Sequence, residues 1–182
     1  MALAHTILTL LTDAPASGYD ISKRFEADIS CYWKASQQQI YRELGKMAKQ
    51  GWVTHQSVPQ AGKPDKKIYE LTPAGEAELL RWFAQPSEPT PIREDLLVKV
   101  LAGPYISRKL LYQELQHRRQ LHARQLADYR EMEQCFLTAP QPTTAEQFRY
   151  LTLRRGIRYE ESWISWCDEV IGVLAQMEEK GA

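Results

Sequence analysis

Apolar positions set the outline of this chain. Leu3, Ile7, Leu8, Leu10 and Leu11 crowd residues 2–12 densely enough for a buried helix, and Pro15 within 13–16 breaks it. Ser17 with Asp20 three positions on is a capping-box start, predicting a second helix over 17–28 with Tyr19, Ile21 and Phe25 on its apolar side. Residues 29–35 form a connector containing Trp33. Ser36 and Gln39 make another capping box; Ile40, Leu44 and Met47 then recur at helical spacing, and Gly51 stops the helix. The rhythm changes at Trp52. Residues Trp52 to Val58 are rich in aromatic and β-branched side chains and read as a strand, Lys67 to Leu71 as its return. Between them PQAGKPDK, with Pro59, Gly62 and Pro64, reads as a loop. Thr72 before Pro73 starts a helix to about Ala84, with Leu79, Leu80, Trp82 and Phe83 as core candidates.

Helix, helix, helix, strand, strand, helix, with a basic tip on the hairpin, is the order of a winged helix-turn-helix, expected over residues 1–85. Three prolines then fall within QPSEPTPI, so residues 86–92 are expected to be a stiff linker. Residues 93–182 read as helical: a short helix at about 93–102 ended by Gly103-Pro104, and a long one over 107–137, which holds neither proline nor glycine. Leu111, Leu115, Leu126, Tyr129, Met132 and Phe136 draw an apolar line along it, interrupted by Arg118, Arg119 and His122. After the turn at 139–142, Thr144 with Gln147 is expected to cap a last helix running to about Glu179. That helix carries two apolar lines. One runs Phe148, Tyr159, Trp163, Trp166, Val170, Val173 and Met177; the other runs Leu153, Ile157, Ile164, Cys167, Ile171 and Leu174. Two helices of roughly 45 Å cannot cover two stripes each. A homodimer is therefore expected, seamed by Leu111, Leu115, Tyr159, Trp163, Trp166, Val170 and Met177. The fold class is mainly α with a small β-hairpin.

Charge narrows the function. The chain has 23 basic and 23 acidic residues, yet seven positive and two negative charges fall between Lys34 and Lys67, a local net of +5. Such segregation suits phosphate binding, because Lys and Arg release condensed counterions. A hydrophobic content of 43% supports a real core, and 25% charged residues is ordinary for a soluble chain. No apolar run is long enough to span a bilayer, and the apolar N-terminus lacks the basic start of a secretory signal. Cys31, Cys135 and Cys167 are few and scattered, which points to a reducing cytoplasm without a disulfide frame.

Double-stranded DNA is the expected partner. Ser36, Gln37 and Gln38 begin the third helix and can present groups to base edges in the major groove. Tyr41 and Arg42 lie beside that face, Tyr19 can donate to a phosphate, and Lys63, Lys66 and Lys67 belong to the wing. Tyr19 and Tyr41 could equally pack in the core. No metal, cofactor or catalytic centre is expected: His117 and His122 are five apart rather than four, and no phosphate-cradling loop or nucleophile elbow occurs. The acidic pairs Glu131/Glu133 and Glu160/Glu161 read as solvated surface. Tyr159, Trp163 and Trp166 suit a core, a dimer seam or the pocket of a small aromatic effector. The competing reading is a winged-helix scaffold for protein contacts.

Several words then carry a resemblance: ILTLL at 7–11, SGYDISKRF at 17–25, WKASQQQIYREL at 33–44, GWV at 51–53 and GKPDKKIYELTPAGE at 62–76. Together they resemble the PadR family of transcriptional regulators over about the first 85 residues. The long helical remainder resembles the virulence-activator branch. The resemblance implies a homodimer on operator DNA, with small-molecule effectors in some branches.

Overall fold

The structure is a computed structural model that describes residues 2–26, 34–60, 62–138 and 140–179. Trp33 and Cys31 lie outside the described residues, as does the side chain of Lys63. The chain divides into two units, Met1–Pro89 and Thr90–Ala182.

The first unit contains α1 (Ala2–Leu11), β1 (Ala16–Ser17), α2 (Gly18–Arg24), α3 (Gln37–Lys49), β2 (Val53–Gln60), β3 (Lys63–Leu71) and α4 (Pro73–Phe83). The three strands form an antiparallel sheet in the order β1-β3-β2. Local sequence accounts for the limits of α3. Ser36 Oγ accepts from the Gln39 N–H at 3.3 Å while Gln39 Oε1 accepts from the Ser36 N–H at 2.8 Å. At the other end Gly51, at φ 73°, turns the chain out of the helix. The Trp52 N–H then reaches Met47 O and the Gly51 N–H reaches Ala48 O, so two carbonyls left over by the helix are satisfied. Thr72 joins three elements: its hydroxyl donates to Gly51 O at 2.6 Å and accepts from the Gly75 N–H at the start of α4.

Packing then holds the helices in place. Ile7, Leu8, Ile21, Ile40, Leu44 and Met47 are fully buried in one cluster with Phe25, Val53, Tyr69 and Leu79. Each such side chain contributes roughly 1.5–3 kcal/mol by leaving water, against about 1 kcal/mol for a typical cap. His5 is buried too: it stacks on Trp82 at 4.6 Å and its Nε2 meets Glu78 Oε1 at 3.1 Å. Glu78 also takes a two-pronged contact from Arg81, and Arg81 first, then His5, hold its carboxyl down at about 2.

Several expectations are corrected here. Leu80 and Phe83 are exposed, because α4 turns only Leu79 and Trp82 toward the core. Tyr19, assigned to the apolar side of α2, is also exposed. The loop between the strands is much shorter than PQAGKPDK. Pro59 and Pro64 lie inside the strands, Pro59 where the register shifts between Val58 and Gln60. A proline has no N–H for the ladder, and an irregular pairing is where that omission costs least.

In the second unit, α5 (Asp95–Leu101) and a 3₁₀ turn (Gly103–Tyr105) precede α6 (Arg108–Leu137) and α7 (Thr144–Glu179), which lie antiparallel. Leu96, Leu111, Leu115 and Cys167 form its core, with Trp163, Trp166, Val170, Ile171 and Leu174 packed against them. The cap of α7 sits one position earlier than expected: Thr143 and Glu146, not Thr144 and Gln147, exchange the capping bonds. One member of each acidic pair departs from the solvated surface expected of it, while Glu131 is exposed. Glu133 is buried and accepts from Arg130, Arg154 and Tyr150; Glu160 is buried and bonds His122 Nδ1 at 2.5 Å. The polar interruption of α6 is thus a set of ties to its neighbours: Arg118 to Glu94, Arg119 to Asp168 and His122 to Glu160.

Candidate nucleic-acid interface

Burying Ile40, Leu44 and Met47 leaves the opposite side of α3 in solvent. Ser36, Gln37, Gln38, Tyr41 and Arg42 are all exposed there. Gln39 is committed to its own helix through the cap, so Gln37 and Gln38 are the amides available for a base edge.

A second group gathers beside it. Tyr19, Tyr41, Lys66 and Lys67 line one open cleft, together with Ser17, Gly18, Gln60, Asp65 and Tyr69. Gly18 lets the Tyr41 ring lie against the start of α2, since a Cβ there would lie 2.5 Å from that ring. Tyr19 is 54% exposed and Tyr41 44%, so neither is a core residue. Lys23 stands 5.9 Å from the Tyr19 ring centre. The structure therefore brings Tyr19, Tyr41, Lys66 and Lys67 together, whereas Ser36, Gln37, Gln38 and Arg42 do not line this cleft.

The two described wing lysines differ. Lys67 is exposed, whereas Lys66 is half-buried with its Nζ 3.1 Å from Asp20 Oδ2. Asp20 was legible as a cap residue, and it does cap α2. Its contact with the wing was not legible, since that requires β3 to return beside α2. Hydrogen bonding from Ser17, followed by Lys66, holds the Asp20 carboxyl below the usual range. A pair this exposed contributes only about 0.2–1 kcal/mol to stability.

The residues expected at a dimer seam separate into three groups. Leu111 and Leu115 are buried inside their own chain against Leu96 and Cys167, which removes them from any outer surface. Trp163, Trp166 and Val170 are half-buried on the same cluster. Tyr159 and Met177 are exposed, as are Phe148, Leu151 and Val173 on α7. Trp163 stacks on His122 at 5.1 Å, with Trp166 and Tyr159 edge-on to it, so these rings are engaged with the protein itself.

Residues 7–81 match the Transcriptional regulator PadR-like family and residues 92–175 match Virulence activator alpha C-term. The chain is 39% identical to the "Probable transcriptional regulator Rv1176c" of Mycobacterium tuberculosis, covering 97% of this chain and 99% of that one. It belongs to the PadR-like family of transcriptional regulators. Among solved structures, this PadR-like regulator resembles the Vibrio cholerae virulence activator AphA, with 36% identity, 96% and 99% of the two chains covered, and a TM-score of 0.82. It also resembles Bacillus subtilis PadR solved in complex with operator DNA, with 25% identity, 95% and 98% covered, and a TM-score of 0.86. Among the described residues no helix is long and apolar enough to cross a membrane.

Proposed function

We propose that this transcriptional regulator binds operator DNA as a homodimer, reading bases with the start of α3 and holding phosphates with the cleft and wing. The observation that carries this is the pairing of an exposed Ser36-Gln37-Gln38 end with a cleft lined by Tyr19, Tyr41, Lys66 and Lys67. Arg42 and Lys63 complete the proposed contact set. In this reading residues 1–85 are the DNA-binding domain, 86–92 a proline-rich linker and 93–182 the dimerisation domain. Tyr159, Val170 and Met177, with the rims of Trp163 and Trp166, form the proposed seam. In this reading the protein acts in the cytoplasm on operator DNA and is not an enzyme.

A protein-contact scaffold has no use for free amides on a helix start beside clustered cations, so these features favour DNA. Titrating salt against binding to the duplex upstream of its own gene tests the proposal. Log affinity should fall linearly with log salt, losing roughly 10³–10⁵ between 50 and 200 mM if six to ten phosphates are held. A salt-independent interaction, or none to any duplex, overturns it.

A further inference from the structure

Asp20 Oδ2 accepts from three donors at once. The Ser17 N–H lies at 3.2 Å and the Ser17 hydroxyl at 2.7 Å, and Lys66 Nζ stands 3.1 Å away. The first two belong to the cap of α2 and fix the carboxylate on that helix. The third reaches the wing, because Lys66 is on β3 opposite Val58. A lysine ammonium carries three N–H donors, so the contact with Asp20 leaves two. Those two are on a side chain that lines the cleft with Tyr19, Tyr41 and Lys67. An untethered lysine gives up the rotamer freedom of a four-carbon stem when it meets a phosphate; a tethered one has given it up in advance.

Given DNA binding through this cleft, we propose that Asp20 is a positioning residue that sets Lys66 against a backbone phosphate and so raises the preference for operator over other DNA. A carboxylate at a DNA-facing surface ordinarily repels every duplex alike. Asp20 departs from that rule because its charge is spent on orienting a cation. The benefit appears only when the phosphate stands where the operator complex puts it. In looser, non-specific encounters the repulsion is what remains.

Asp20→Asn separates the two effects. Asparagine keeps an oxygen for the Ser17 N–H and hydroxyl but loses the charge that holds Lys66. The probes are a duplex selected by the parent protein from a randomised pool and a scrambled duplex of equal length. D20N should lower affinity for the selected duplex by about two- to fivefold, the equivalent of about 0.4–1 kcal/mol, while affinity for the scrambled duplex rises. With Lys66→Ala already in place, D20N should instead raise both equally. Lys66→Ala alone should lower the salt slope on the selected duplex by about one unit. A D20N protein that binds both duplexes more tightly, by the same factor, overturns the proposal. Should D20N melt well below the parent, the lysines decide. Lys66→Ala must then weaken the selected duplex more than the scrambled one, and Lys67→Ala must weaken both equally; equal losses for Lys66→Ala overturn the proposal. A parent protein that does not distinguish the two duplexes overturns the DNA reading itself, and the role of Asp20 with it.

Discussion

Gln38 and Gln39 are adjacent and chemically identical, yet they do different things. Gln39 closes the α3 cap on the Ser36 N–H, whereas Gln38 stands exposed one position earlier. A free carboxamide can pair with adenine in the major groove, and such a contact carries roughly 1–3 kcal/mol of discrimination. Gln38→Ala is expected to change which duplexes are selected from a randomised pool while leaving affinity for a scrambled duplex within about twofold. An unchanged selected pool would exclude Gln38 from readout. At this scale local rules carry far, because a cap joins residues three apart. They fail for Glu133 and Glu160, whose partners Arg154 and His122 lie across a helix pair.

The α6–α7 pair shows what polar ties do for an element. Glu133 is buried to 3% exposure and accepts from Arg130 at 2.5 Å, Arg154 at 3.1 Å and Tyr150 at 3.2 Å. Arg130, then burial in the opposite sense, then Arg154 and Tyr150 leave its carboxyl below the ordinary range. A carboxyl depressed in the folded state adds stability above its unfolded pKa and loses it as pH falls through the folded one. Glu133→Gln should therefore lower stability at neutral pH by about 1–2 kcal/mol, seen as a lower urea midpoint with an unchanged slope, since both arginines remain partly solvated. The difference from the parent should shrink as the pH falls below the usual carboxylate range. A gap that is the same at low pH would show that the charge of Glu133 is not what matters. The line of apolar residues on α6 was legible as a helix; its polar interruption made sense only once α7 and Glu94 lay beside it.

At the scale of the whole molecule, α7 keeps one apolar line covered and a second exposed. Its inner line, with Leu153, Ile157 and Cys167, is buried on its own chain. Phe148 at 67%, Leu151, Tyr159, Val173 and Met177 stay exposed along the same helix. A second copy of the chain is the proposed cover. Sedimentation at micromolar concentration should then give twice the 21.0 kDa of one chain. The two tryptophans are unsuitable probes of this seam, because truncating Trp163 or Trp166 also opens the protomer core. Val173→Arg with Met177→Arg alters only exposed positions. That variant should keep its helical signal, sediment as a single chain and lose roughly 10²–10⁴-fold in operator affinity, the factor that linking two half-sites supplies. A normal mass with normal affinity would move the seam elsewhere.

The sequence by itself determined the order of the elements and the starts of α2, α3 and α4: the caps at Ser17, Ser36 and Thr72 each bond a residue three positions on, and helical spacing marks which side is apolar. It also carried the family through the words between residues 7 and 76. Only the tertiary structure decided which apolar positions are covered. Leu111 and Leu115 went inward, Leu80 and Phe83 outward, although all four are large and apolar. It also decided which charges are engaged, tying Lys66 to Asp20 but leaving Lys67 exposed. The physical reason is range. Caps and turns act over three to five residues, so they are written in local order, whereas burial and ion pairing depend on which distant segment arrives alongside.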